Sequence, residues 1–273
     1  MNAYADVTTF KSSEFADLTV NTEQVRFRRL LEAASRYLDK RCERFFYCWE
    51  GIRYYDGATR LMDIDDILGI TTLKLDEDGD GIYESTMAIT DYVLYPLNRY
   101  PKSWIEIGNN GDYGSFASGT KKGVEITGVF GYGDGYNATP YVTTGQTVQN
   151  NPLAIGDTTL TVTATAAWGA GMTLRIESEQ VYIKTVTDGT NVVIRRGVNG
   201  TTAAAHILNT PIYSYEYPQM IWQATLMLAM RAWKRKDSAF QDVVGSPETG
   251  MLIVYKDEDP DVAKIIDRYR RRV

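Results

Sequence analysis

Residues 70–87 read ITTLKLDEDGDGIYESTM: two runs that alternate like strands, parted by Asp76, Glu77, Asp78, Asp80 and two glycines. Two folds compete for this stretch. As a calcium loop starting at Asp76, it puts Asp78 and Asp80 at the third and fifth positions and Gly81 at the sixth. Glu84 falls at the ninth and Met87 at the twelfth, where a bidentate Glu belongs. The flanks also alternate like strands, whereas a calcium hand needs helices. Asp78-Gly79 and Asp80-Gly81 suit a hairpin, because glycine accepts positive φ. The stretch therefore predicts a β-hairpin with a solvated acidic tip; weak calcium binding at Asp76, Asp78 and Asp80 stays open.

Outward from the hairpin, short β runs fill about residues 52–133, separated by Gly, Asn and Pro. Before them, residues 23–47 carry Phe27, Leu31, Ala34, Leu38, Cys42 and Phe45 at three- and four-residue steps, an amphipathic helix that Asn21 or Thr22 would cap. After them, residues 144–216 hold few charges and many threonines. In TTLTVTA, Leu160 and Val162 point one way and the threonines the other. Asp188-Gly189 and Asn199-Gly200 supply turns. This segment reads as an inserted all-β module, bounded by Pro140, Gly145 and Asn150-Asn151-Pro152 on one side and Pro218 on the other.

Residues 218–235, PQMIWQATLMLAMRAWKR, predict a helix that is apolar almost all round. Such a helix needs cover on every side, and each large side chain left in water forgoes roughly 1.5–3 kcal/mol. Neighbouring copies are therefore expected to cover Ile221, Trp222, Leu226, Leu228 and Met230. A last helix starts at Asp259 as cap with Pro260 in the first turn, and Val262, Ile265, Ile266 and Tyr269 form its stripe. The arginines that follow suit its negative end.

The whole chain has 273 residues, 44% of them hydrophobic, and a net charge of −6, so a DNA-gripping basic face is not expected. The 19 tyrosines suit interfaces. Cys42 and Cys48 are expected as free thiols in a reducing cytoplasm. The start predicts no signal peptide, and no apolar run spans a bilayer. His206 is the only histidine, which excludes a serine triad and a multi-histidine metal site; a packing or turn role is expected for it. Asp63, Asp65 and Asp66 are expected in a solvated loop. No cofactor and no enzymatic activity are expected.

Several segments, in order, resemble bacteriophage head–tail connector (adaptor) proteins. EQVRFRRLLEAASRYLDKRCERFF (23–46) is similar to their first long helix. ITTLKLDEDGDGIYE (70–84), DYVLYPLN (91–98) and VEITGVFGYG (124–133) are similar to their β portion. The stretches 221–250 and 259–271 are similar to their C-terminal helices and glycine-rich link. IRRGVNGTTAAAHILNTPI (194–212) is similar to small β modules of phage structural proteins. The resemblance implies an α+β fold. A helical adaptor core with a β-hairpin and strand region would span 1–143 and 217–273, with an inserted all-β barrel or sandwich over 144–216. It implies a virion protein assembled in the host cytoplasm: a ring, typically of twelve copies, under the portal. That ring would extend the DNA channel without binding DNA specifically, touch no membrane, and offer a platform to the next neck, stopper or tail protein. By analogy and charge, Tyr269, Arg270, Arg271 and Arg272 would dock on the portal. Two alternatives stand beside this: a tail or baseplate component whose β module holds a host glycan or receptor with Trp168, Tyr182 and Tyr213, and a hydrolase with metal at Asp76, Asp78 and Asp80.

Overall fold

A computed structural model of the chain describes residues 2–12, 23–109, 111–235, 243–245, 252–254 and 259–271. Strands dominate it. The first antiparallel sheet has six: β1 (Trp49–Tyr55), β2 (Leu61–Leu75), β3 (Ser85–Met87), β4 (Tyr92–Tyr95), β5 (Lys102–Ile107) and β6 (Val124–Phe130). Their order is β1-β6-β2-β5-β4, with β3 folded back on β2. Leu75 pairs with Ser85 and Leu73 with Met87, so residues 76–84 are the tip of a hairpin between strands. Alternate residues of β2 and β6 turn inward, and Ile64, Ile67, Leu73, Ile105, Phe116, Ile126 and Phe130 make this sheet's own core.

The second sheet also has six strands: β7 (Tyr141–Thr147), β8 (Thr159–Thr161), β9 (Thr173–Ile176), β10 (Glu179–Val186), β11 (Asn191–Arg195) and β12 (Pro211–Tyr215). They run in the order β7-β12-β9-β10-β11-β8. Leu160 and Val162 are buried in its core, as their alternation predicts, beside Leu174, Val181, Ile183 and Trp168. Asp188 turns β10 into β11 by accepting from the amides of Thr190 and Asn191, both at 2.8 Å. A short ribbon pairs β13 (Val243–Gly245) with β14 (Leu252–Val254).

Four helices complete the described residues: α1 (Val7–Ser12), α2 (Gln24–Cys42), α3 (Gln219–Arg235) and α4 (Pro260–Tyr269). The expected helical core with an inserted β module is not what forms. The chain is mostly β, with two six-stranded antiparallel sheets and only 22% helix. The reason lies in the long run from β1 to β6. Its strands bury a full core among themselves, and the helices pack mainly on one another beside the sheets instead of forming the core that carries them. The 141–215 sheet is also fastened to the rest of the chain. Glu50 donates its amide to the Asn199 carbonyl at 2.8 Å, Tyr182 Oη donates to Glu32 at 2.7 Å, and Gln180 Nε2 donates to the Cys48 carbonyl at 3.2 Å.

The apolar α3 is covered largely by its own chain. Val7, Phe10, Phe27 and Leu31 close over Ala229, Met230 and Trp233. Leu38, Val262, Ile265 and Ile266 close over Ile221 and Ala224. No large apolar side chain of α3 is exposed. The chain itself thus buries Ile221, Ala224, Ala229, Met230 and Trp233, while Trp222, Leu226, Met227 and Leu228 stay half-buried. The α4 start forms as its sequence predicts: the Asp259 carboxylate accepts from the Asp261 amide at 2.9 Å and the Val262 amide at 3.4 Å. The proposed caps of α2, Asn21 and Thr22, lie outside the described residues. That helix ends at Glu43 with φ 55°, so Phe45 falls beyond it.

Candidate functional site

Three polar constellations stand out. The first is a groove of about 700 Å³ beyond the C-terminal end of β6, between the 96–104 segment, the 132–136 turn and the end of α4. Here the structure brings together Tyr269, Arg270 and Arg271; Arg272 lies outside the described residues. The three differ in availability. Arg271 is spent inside the molecule, with Nη1 donating to Asp65 at 2.9 Å and Nη2 to the Ile64 carbonyl at 2.6 Å. Tyr269 is half-buried, edge-on to Phe46 and Tyr132. Arg270 is exposed, 3.9 Å from Glu43. Arg268 and Arg99 also line the groove and are exposed.

Asp65 and Asp66 do not sit in a solvated loop; they lie on β2. Asp66 is 6% exposed and faces Arg44 Nε at 3.3 Å. Burial raises its carboxyl above the usual range, against the pull of Arg44 and Arg271. Asp65 is half-buried between Arg53 and Arg271. Burial pushes its carboxyl upward, but those two guanidiniums hold it below the usual range. The bulges in β2 between Asp63 and Ile67 set these carboxylates toward the arginines. Asp63 is exposed at the groove's edge.

The second constellation is the hairpin tip. The two oxygens of buried Asp76 accept from the amides of Gly79 at 2.7 Å and Gly81 at 2.9 Å, and both glycines have positive φ. The Asp80 carboxylate accepts from the Ile82 amide at 2.7 Å. Carboxylate oxygens of Asp76, Asp78, Asp80 and Glu84 lie within 4.8 Å of one another, a set suited to a hard cation. Glu77, Asp78, Asp80 and Glu84 are exposed.

The third is a buried latch in the second sheet. Arg196 donates to both oxygens of Glu179 at 2.8 Å and to the Ala154 carbonyl at 2.7 Å. Glu179 also accepts from the amides of Gly197 at 2.8 Å and Ala204 at 3.1 Å. His206 places Nε2 2.8 Å from Glu179 and Nδ1 2.7 Å from Glu177. Burial raises the Glu179 carboxyl, but the bonds from Arg196 and His206 prevail and hold it below its ordinary value. The Arg-Gly-x-Asn-Gly run and His206 are visible in sequence; Glu179, which they enclose, is not. The latch links the Arg196, Glu179, His206 and Glu177 side chains to one another and to backbone groups of residues 154, 197 and 204, and so ties the 196–206 loop to β10.

Of the residues expected at a subunit boundary, Ile221 and Met230 lie in the chain's interior, while Trp222, Leu226 and Leu228 are half-buried. The aromatics suggested for a glycan do not converge on a surface: Trp168 is 4% exposed and Tyr182 fully buried, and only Tyr213 reaches solvent. Both cysteines are free and buried, and burial pushes each thiol up to about 12. Among the described residues, no helix is long and apolar enough to cross a membrane. Compared with known proteins, the chain matches no family model and no curated protein.

Proposed function

We propose that this chain is a structural assembly protein: a head-to-tail adaptor of a tailed bacteriophage that forms a ring under the portal and receives the next neck or tail protein. The ordered resemblance of residues 23–46, 70–133 and 221–271 to connector proteins supports the reading. One structural observation carries it further. The end of α4 is a fixed cationic wall of the groove. Val262, Ile265 and Ile266 anchor the helix on α2 and α3, Arg271 ties its end to β2, and Arg270 remains exposed. A fixed cationic end is suited to docking on an acidic protein surface such as a portal would present. The net charge of −6 is consistent with a channel wall along which DNA slides without sticking.

The buried Trp168 and Tyr182 take away the sequence basis for a receptor-binding module. The adaptor reading is tested by removing the coding sequence from the phage genome. Filled heads and free tails that accumulate unjoined, and that rejoin when the protein is added back, are the expected outcome. Normal particles without the protein would end the proposal.

A further inference from the structure

The first sheet carries opposite charge at its two ends. Past Leu75 the hairpin tip exposes Glu77, Asp78, Asp80 and Glu84 around Ile82, itself 62% exposed. None of these four carboxylates forms a salt bridge among the described residues. At the other end, Arg44, Arg99, Arg268, Arg270 and Arg271 line the groove against three carboxylates, Asp63, Asp66 and Asp134. Two of those carboxylates are engaged, Asp66 by Arg44 and Asp134 by the amides of Tyr136 and Asn137. Arg99 and Arg268 are exposed and form no ion pair among the described residues. Tyr136, 81% exposed, and Trp104 add aromatic faces for an aliphatic side chain.

Strand β2 runs from the groove's edge at Asp63 to the tip at Leu75, a span of about 40 Å at ordinary strand rise. The tip cannot reach the groove of its own chain. We infer that the acidic tip of one copy docks in the arginine groove of the next, Ile82 against the aromatic faces and Glu77 and Glu84 toward Arg99 and Arg268. The contact is head-to-tail, the kind that closes into a ring or runs on as a filament. This inference rests on the ring reading above and names the surface that would join its members.

Sedimentation velocity on the full chain tests it, with EDTA present so that no cation neutralises the tip. Self-association should weaken at least tenfold, in order of magnitude, between about 50 mM and about 500 mM NaCl. The pair Glu77→Lys with Glu84→Lys, and separately Arg99→Glu with Arg268→Glu, should each weaken it by about tenfold or more at low salt. These side chains are exposed, and the Asp turns of the tip are untouched. Thermal melts check folding, and Glu77→Gln with Glu84→Gln gives a milder version of the first pair. Mixing the two reversed proteins, or placing all four changes in one chain, should restore association to within about threefold of wild type. Rings that ignore salt and all four changes overturn the docking and leave the ring reading intact. A wild-type chain that stays monomeric at every concentration overturns the docking, and the ring reading then stands or falls on assembly with a portal.

Discussion

Replacing Glu179 by Gln strikes a buried polar cluster. The carboxylate is fully buried and Arg196 is 7% exposed, so neither charge has water to fall back on. Glu179 accepts twice from Arg196, from the amides of Gly197 and Ala204, and it meets His206. A carboxamide keeps the shape but loses the charge, and it turns an NH2 toward donors on one side. Removing one member of a buried ion pair costs about 3–5 kcal/mol, because the remaining charge is left uncompensated. Losing the acceptor for a buried amide adds about 1–3 kcal/mol where no other partner is found. The expected loss is thus about 3–5 kcal/mol at least, set by Arg196. Urea unfolding followed by tryptophan fluorescence reads it, since Trp168 sits in the same core. Glu177→Gln is the internal control. That carboxylate is largely exposed, and its loss should cost under about 1 kcal/mol. A Glu179→Gln protein within about 1 kcal/mol of wild type would refute the argument that this cluster fastens the 196–206 loop.

Three further outcomes follow from other parts of the structure. Burial raises Asp39 to about 6 against the pull of Arg36 and Tyr4, so its contribution is complete below its unfolded value and is lost as pH rises through 6. The shift of about two pKa units corresponds to about 3 kcal/mol, so the stability difference between wild type and Asp39→Asn, measured by urea unfolding from pH 3.5 to 7, should fall by about that amount. Gly200→Ala should cost about 3 kcal/mol or more in the same assay, because φ is 86° and a Cβ would lie 1.7 Å from the Glu50 carbonyl oxygen. Calcium titration by calorimetry should give binding no tighter than about 1 mM, because the twelfth-position carboxylate is missing and Asp76 already accepts from two amides.

Features governed by neighbours in sequence were legible before folding. Asp259 and Pro260 announce α4, Asp188-Gly189 announces a hairpin, and the alternation around Leu160 and Val162 announces a buried strand. The tip at 76–84 was legible as a turn because its flanks alternate and Met87 stands where calcium needs a carboxylate. Features governed by distant partners were not. Nothing local says that β6 lies between β1 and β2, and that pairing builds the first core. Asp65 and Asp66 look solvated until Arg53, Arg44 and Arg271 arrive from three other segments. The apolar α3 was readable as a helix, but its cover comes from residues 3–10, from α2 and from α4, all distant in sequence. Glu179 carries no motif of its own; the hint was two glutamates two residues apart facing a run that holds Arg196 and His206. In the candidate groove, Tyr269, Arg270 and Arg271 are adjacent in sequence, while the internal tether of Arg271 required the structure.

The proposed adaptor role requires copies of the chain to assemble with one another on a partner ring. Native mass spectrometry of the full chain mixed with the portal protein of the same particle tests this most directly. One discrete complex carrying a closed, fixed number of copies per portal is the expected spectrum. A spectrum of free portal and free monomer at every mixing ratio would contradict it.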